Sequence, residues 1–229
     1  MPEADDLASL RASGLAQQRA GQHKAAIQIF EIVLRRGGGD AALLCRLGES
    51  YERIGDAGRA DEAYARAIEH DPNFALAYRS AADLALRARA VAARVGQSET
   101  AEALRQGAFR YLAALGGRLL GEGAWREAEA EFRHALALAP DDWAARVDLG
   151  RALLEQGRAG DAEIELRNGL SVAPGQAMAH FTLGLALRRQ GRNDEAEAAL
   201  RQALALDPGL AAASAELARI AAGRGVTEP

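Results

Sequence analysis

The chain repeats itself every 34 residues. Six consecutive blocks, 7–40, 41–74, 75–108, 109–142, 143–176 and 177–210, align without a gap over 204 of its 229 residues. So regular a repeat restricts the fold to stacked copies of one small unit. Position 8 of the block is Gly14, Gly48, Gly116, Gly150 and Gly184, with Ala82 in the third block. Position 15 is Gly21, Gly55, Gly123, Gly157 and Gly191, replaced in the third block by Arg89. Position 20 is Ala26, Ala60, Ala128, Ala162 and Ala196, and position 24 is the larger Phe30, Tyr64, Phe132, Leu166 and Leu200. Position 32 is Pro72, Pro140, Pro174 and Pro208, with Gly38 in the first block.

These positions read as a helical hairpin. Apolar residues recur at helical spacing on both sides of position 15: Leu44, Leu47 and Tyr51 before it, Ala60, Tyr64, Ala67 and Ile68 after it. Glycine at position 15 suits the left-handed residue that ends a helix, and proline at position 32 stops the second one. Small residues at positions 8 and 20 let two helices approach, while the large residue at 24 fills the space opposite. The pattern resembles that of the tetratricopeptide repeat family, and five of the six blocks fit it. The resemblance implies an all-α fold, a right-handed superhelical solenoid of helix–turn–helix hairpins. Residues 1–6 then form an acidic lead, 211–222 a capping helix and 223–229 a tail.

Composition agrees. The chain is 49% apolar but 5% aromatic, with 55 alanines, which disfavours β-sandwiches and favours closely packed helices. Arginine outnumbers lysine 27 to one, a bias of GC-rich codons that points to a bacterial source. Cys45 is the single cysteine, so an intrachain disulfide and a thiolate zinc site are excluded. The acidic start leads into no long apolar run, and no stretch reaches the roughly 18 apolar residues of a membrane span. A net charge of −4 argues against general nucleic-acid binding. The expectation is a cytoplasmic protein with no membrane insertion, nucleic-acid partner, metal or cofactor.

Block 75–108 keeps its length and loses the signature. Ala75 to Val95 contains neither glycine nor proline, so one helix of about twenty residues is expected there. Two arrangements then compete. The block is either a degenerate third repeat with an elongated first helix, between repeats 7–74 and 109–210, or Glu99 to Leu120 is one continuous helix and the array divides in two.

In the family that the chain resembles, the first helix of each hairpin lines a concave groove through positions 2, 5, 6, 9, 12 and 13. Carried over residue by residue, the first three blocks supply Arg11, Arg19, Arg46, Arg53, Arg79 and Arg87 against Glu49, Glu52 and Asp83. The last three supply an apolar strip of Ala113, Ala114, Leu120, Val147, Leu154, Met178, Phe181 and Leu185, edged by Arg110, Asp148, Arg151, Glu155, Arg188 and Arg189. The resemblance therefore implies a protein or peptide partner, acidic toward the first repeats and apolar toward the last. Packing against the next hairpin is the competing role for the inner residues, above all Ala113, Ala114 and Leu154. Two specialised groove chemistries of the family are missing. Position 9 lacks the asparagine of the carboxylate clamp, and position 6 lacks the asparagine ladder of glycosyltransferase arrays.

Catalytic patterns are weaker still. His23, His70, His134 and His180 share neither a helix face nor metal-ligand spacing. Cys45 has no patterned histidine to activate it, and Gly37 to Gly39 end a helix instead of cradling phosphate. Glu127, Glu129, Glu131, Glu195 and Glu197 read as solvated helix faces. The reading is a non-enzymatic interaction scaffold. Its alternatives are a substrate-recruiting module of a larger modifying enzyme, of glycosyltransferase or sulfotransferase type, and a self-assembling homo-oligomer.

Overall fold

The computed structural model describes residues 2–224, with side chains for 6–222. It is all-α. Twelve helices and no strand occur among the described residues: α1 (Pro2–Arg19), α2 (His23–Arg35), α3 (Ala41–Arg53), α4 (Ala57–His70), α5 (Ala75–Arg94), α6 (Ser98–Gly121), α7 (Trp125–Leu138), α8 (Trp143–Glu155), α9 (Ala159–Val172), α10 (Ala177–Arg189), α11 (Asn193–Leu206) and α12 (Ala211–Arg224). The expected lead is part of α1, which opens on Pro2, a residue whose fixed φ suits the first helical position. Met1 and residues 225–229 of the expected tail lie outside the described residues, and α12 extends past the expected cap to Arg224.

The hairpins close on one repeated contact. A Cβ on the position-8 glycine would lie 2.6 Å from the ring of Phe30 (Gly14) or Tyr64 (Gly48), and 2.8 Å from that of Phe132 (Gly116). Gly150 and Gly184 meet Leu166 and Leu200 in the same way, each at 2.7 Å. Only glycine lets the two helices approach this closely over a fully buried partner. Position 15 turns the chain with φ between 74° and 85°, a left-handed conformation that spares L side chains from strain only when the residue is glycine.

Successive hairpins are joined through their loops. Asp40 and Asp142 cap α3 and α8, accepting the N–H groups of Leu43 (2.7 Å) and Ala145 (2.8 Å). Tyr78, Arg146 and His180, all at position 4, donate to the carbonyls of Pro72, Pro140 and Pro174 in the preceding loop. His180 thus serves the fold.

The chain forms two compact units, Met1–Leu112 and Ala113–Pro229. In the first, Phe30, Leu43, Leu44, Cys45 and Tyr64 build one core, against which Leu84 of α5 and Tyr111 of α6 also pack. α5 is 20 residues long against 13 for α3, α8 and α10. α6 is continuous over 24 residues and runs through Gly107. Gly107 keeps helical backbone, so it costs only about 1 kcal/mol against alanine and breaks nothing. No helix among the described residues is long and apolar enough to cross a membrane.

Candidate interaction surfaces

In the first unit, α1, α3 and α5 line an open cleft of about 710 Å3. Gln18 joins α1 to α3, its Nε2 donating to the Arg46 carbonyl at 2.8 Å and to Ser50 Oγ at 3.0 Å. Glu52 organises the floor: it accepts the Tyr64 hydroxyl at 2.5 Å and a guanidinium hydrogen bond from Arg87. Burial, reinforced by Glu52, pushes the Tyr64 hydroxyl far above its ordinary pKa, so it remains a donor. Arg46 pairs with Glu49 at 2.9 Å. Arg19 and Arg53 line the same cleft, are exposed and, among the described residues, have no ion pair.

Arg46, Arg53 and Arg87 meet in this cleft, Arg11 lines an adjoining hollow with Gln18, Arg19 and Arg46, and Arg79 lies outside both. Arg79 is exposed on α5, outside the cleft wall formed by Ser80, Asp83 and Arg87. Arg11 turns to Asp40 and forks onto its carboxylate, Nη1 to Oδ2 at 2.6 Å and Nη2 to Oδ1 at 2.9 Å. Burial pushes the Asp40 carboxyl up, but the Arg11 bonds and the Leu43 N–H outweigh it and hold the pKa below its ordinary value. Arg11 is thus engaged with Asp40, the cap of α3, while its side chain stays partly exposed.

The second unit offers an apolar face on α10. Met178 is 48% exposed, Phe181 and Leu185 partly so, and their i, i+3, i+7 spacing places them on one stripe. Val147 does not extend that stripe. It is buried and packs over Gly169 of α9, where a Cβ would come within 3.6 Å of its Cγ2, so it is a packing residue. Leu120 and Leu154 are buried as well. Arg151 pairs with Asp148 at 2.9 Å, and Arg188 forms an ion pair with Glu216 of α12, also at 2.9 Å.

Family models described as tetratricopeptide repeat match residues 41–74, 119–182 and 177–210. The chain belongs to the tetratricopeptide repeat family. Among solved structures it is similar to the first such domain of Spaghetti (RPAP3) bound to the HSP90 peptide SRMEEVD, with 18% identity and a TM-score of 0.50, over 51% of this chain and 93% of that one. It is equally similar to the Arabidopsis OM64 domain, with 22% identity and a TM-score of 0.50, over 51% and 96% of the two chains. Both likenesses concern the fold. No protein of curated function matches the sequence.

The tetratricopeptide repeats of the second unit share a polar staple that reading residues singly had missed. Glu129 accepts Gln156 Nε2 at 2.7 Å and the Arg158 guanidinium at 2.8 and 2.9 Å, both from the following repeat, and pairs with Arg133 at 2.6 Å. Glu163 repeats the arrangement one block later with Gln190 at 2.8 Å, Arg192 at 2.6 Å and Arg167. Burial alone would raise both carboxyl pKa values, yet the donors prevail and each lies below its ordinary value. Glu129 and Glu131, expected on solvated faces, are only 7% and 4% exposed. The signal was in the register: glutamate at position 21, glutamine at 14 and arginine at 16 and 25 recur together.

Proposed function

We propose that this tetratricopeptide repeat protein is a scaffold for other proteins, its first unit taking an acidic stretch in the α1/α3/α5 cleft and its second unit, by itself, taking an apolar stretch on α10. The observation that carries the reading is the state of Arg19 and Arg53. Both guanidiniums stand exposed on one cleft without an ion pair among the described residues, and a guanidinium fork suits carboxylates. Arg46 and Arg87 neutralise Glu49 and Glu52, which leaves Arg19 and Arg53 against the exposed carboxylate of Asp83. On α10, Met178, Phe181 and Leu185 offer the adaptable, aromatic and aliphatic surface that helices and extended peptides use as anchor points. The HSP90 peptide on the RPAP3 domain contains two glutamates and a final aspartate, which supports an acidic ligand. Because the position-9 asparagine of the carboxylate clamp is missing here, recognition rests on the arginines.

A photoreactive amino acid in place of Ser80, which lines the cleft, tests the reading in the native cell. The trapped segments are expected to be rich in aspartate and glutamate. Adducts no more acidic than those formed from exposed Gln202 on α11 would remove the acidic half of the proposal. The apolar half fails if Met178→Ala with Phe181→Ala leaves capture unchanged.

A further inference from the structure

α12 has the register of a first helix: in a block beginning at Ala211, Leu217 stands at position 7 and the small Ala218 at position 8. It packs against α11 and reaches α10 through the Glu216–Arg188 pair. Its residues at positions 3, 6 and 10, Ala213, Glu216 and Ile220, are buried there, as are Ala179, Thr182 and Ala186 on α10. Positions 7, 8 and 11 differ. They are buried on α3 (Leu47, Gly48, Tyr51), α8 (Leu149, Gly150, Leu153) and α10 (Leu183, Gly184, Leu187), each of which is closed by the second helix of its hairpin. On α12, Leu217 is partly exposed and Ala218 and Ala221 are exposed, and no second helix covers them among the described residues.

The hairpins already closed define what such a face receives. Their second helices carry a stripe at positions 20, 24 and 27: Ala128, Phe132 and Ala135 on α7, Ala196, Leu200 and Ala203 on α11. A Cβ on Gly184 would meet Leu200 Cγ at 2.7 Å and the Ala196 carbonyl oxygen at 3.3 Å, so position 8 seats against that stripe. The open face of α12 (Ser214, Leu217, Ala218, Ala221) carries no charge, whereas the end of a solenoid ordinarily turns a polar side to water. A second copy of the chain has no matching helix to offer. Its position-24 residues Phe30, Tyr64, Phe132, Leu166 and Leu200 are all at most 1% exposed, closed within their own hairpins. Ala218 also limits the anchor: its Cβ takes room that glycine leaves in the other hairpins, which favours an aliphatic side chain over an aromatic ring.

We propose that this face of α12 docks an amphipathic helix of another protein, one with an Ala-x3-Leu-x2-Ala stripe, which closes α12 as a second helix closes the other hairpins. Burying the leucine against Leu217 supplies the driving force, and the small residues set the approach of the two helices. The site stands independently of the α1/α3/α5 cleft and of Met178, Phe181 and Leu185, which occupy positions 2, 5 and 9 of α10.

The test uses the full chain and, as probe, a fluorescein-labelled, amidated peptide with the sequence of α11, Asn193–Leu206. Anisotropy titration is expected to show saturable binding, weakened by about tenfold or more when the peptide's leucine corresponding to Leu200 is replaced by alanine. In the protein, Ala218→Glu abolishes binding by placing an unpaired carboxylate in the contact, while Ala212→Glu, on the opposite side of α12 at about 100° per residue, leaves it unchanged. Ala218→Gly recreates the glycine contact and strengthens binding, since the propensity cost of glycine falls on the free and bound chain alike. Met178→Ala with Phe181→Ala leaves it unchanged, which separates this site from the α10 stripe. Thermal melting of each variant confirms that the helices persist. The proposal is overturned if the probe does not bind, or if Met178→Ala with Phe181→Ala abolishes binding. It is overturned equally if Ala218→Glu binds as well as the wild type, as a peptide exchanging with α11 would. Light scattering that shows two copies pairing, in a way that Ala218→Glu prevents, would overturn it too.

Discussion

Two adjacent glycines on α6 have opposite roles. A methyl group on Gly116 would lie 2.8 Å from the buried Phe132 ring, while one on Gly117 meets nothing within 4 Å. Alanine gains about 1 kcal/mol of helix propensity over glycine at either place, but overpacking a filled core costs about 1–3 kcal/mol. Gly116→Ala is therefore expected to lower stability by up to about 2 kcal/mol and Gly117→Ala to raise it by up to about 1 kcal/mol. Urea denaturation of the two variants reads both signs, and a stabilised Gly116→Ala would refute the packing account. Cys45 makes a second case. Burial, with Glu49 adding to it, pushes its thiol up to about 12. Iodoacetamide is expected to leave Cys45 intact in the folded protein and to modify it in denaturant; rapid labelling of the native chain would contradict this. Strict recurrence made the glycine contacts legible in the sequence. The path of Arg11 was not, because its position says nothing about Asp40, which waits one residue before α3 to cap that helix. The burial of Val147 was not legible for a related reason: its position fits the groove pattern, but its side chain packs near Gly169 of α9.

Among the elements, the staples between repeats govern the response to acid. Glu129 and Glu163 have folded-state pKa values below the ordinary 4.5. Their stabilisation is complete above that value and drains away as pH falls through the lowered folded values. Melting temperature is accordingly expected to drop as pH falls below the ordinary 4.5. Glu129→Gln with Glu163→Gln should flatten that drop and lower neutral-pH stability by about 1–3 kcal/mol in total, the scale of hydrogen bonds to buried charge. Parallel melting curves for wild type and variant would show that the staples contribute nothing. The staple escaped a residue-by-residue reading because each glutamate looks like one more charge on a polar helix. Only its register with glutamine and arginine of the next block identifies it. The continuity of α6 was open for a similar reason. Gly107 and the lost block signature resemble a break, yet without proline or a left-handed residue the helix simply continues.

At the scale of the whole molecule, a chain of net charge −4 presents a cleft whose exposed charges without an ion pair, among the described residues, are the guanidiniums of Arg19 and Arg53 and the carboxylate of Asp83, two positive against one negative. The repeat pattern located that cleft, and side-chain pairing decided which of its arginines remain available. The central claim is that these two residues hold the acidic stretch of a partner. Its most direct measurement is the affinity of a synthetic peptide, copied from the segment trapped at Ser80, for the wild type and for Arg19→Glu with Arg53→Glu across a salt series. The account predicts that wild-type affinity falls steadily between about 0.05 and 0.5 M salt, as screening shortens the reach of the guanidiniums. It also predicts that the double reversal weakens binding by about tenfold or more at low salt. An affinity that stays flat with salt and is untouched by the reversal would contradict it.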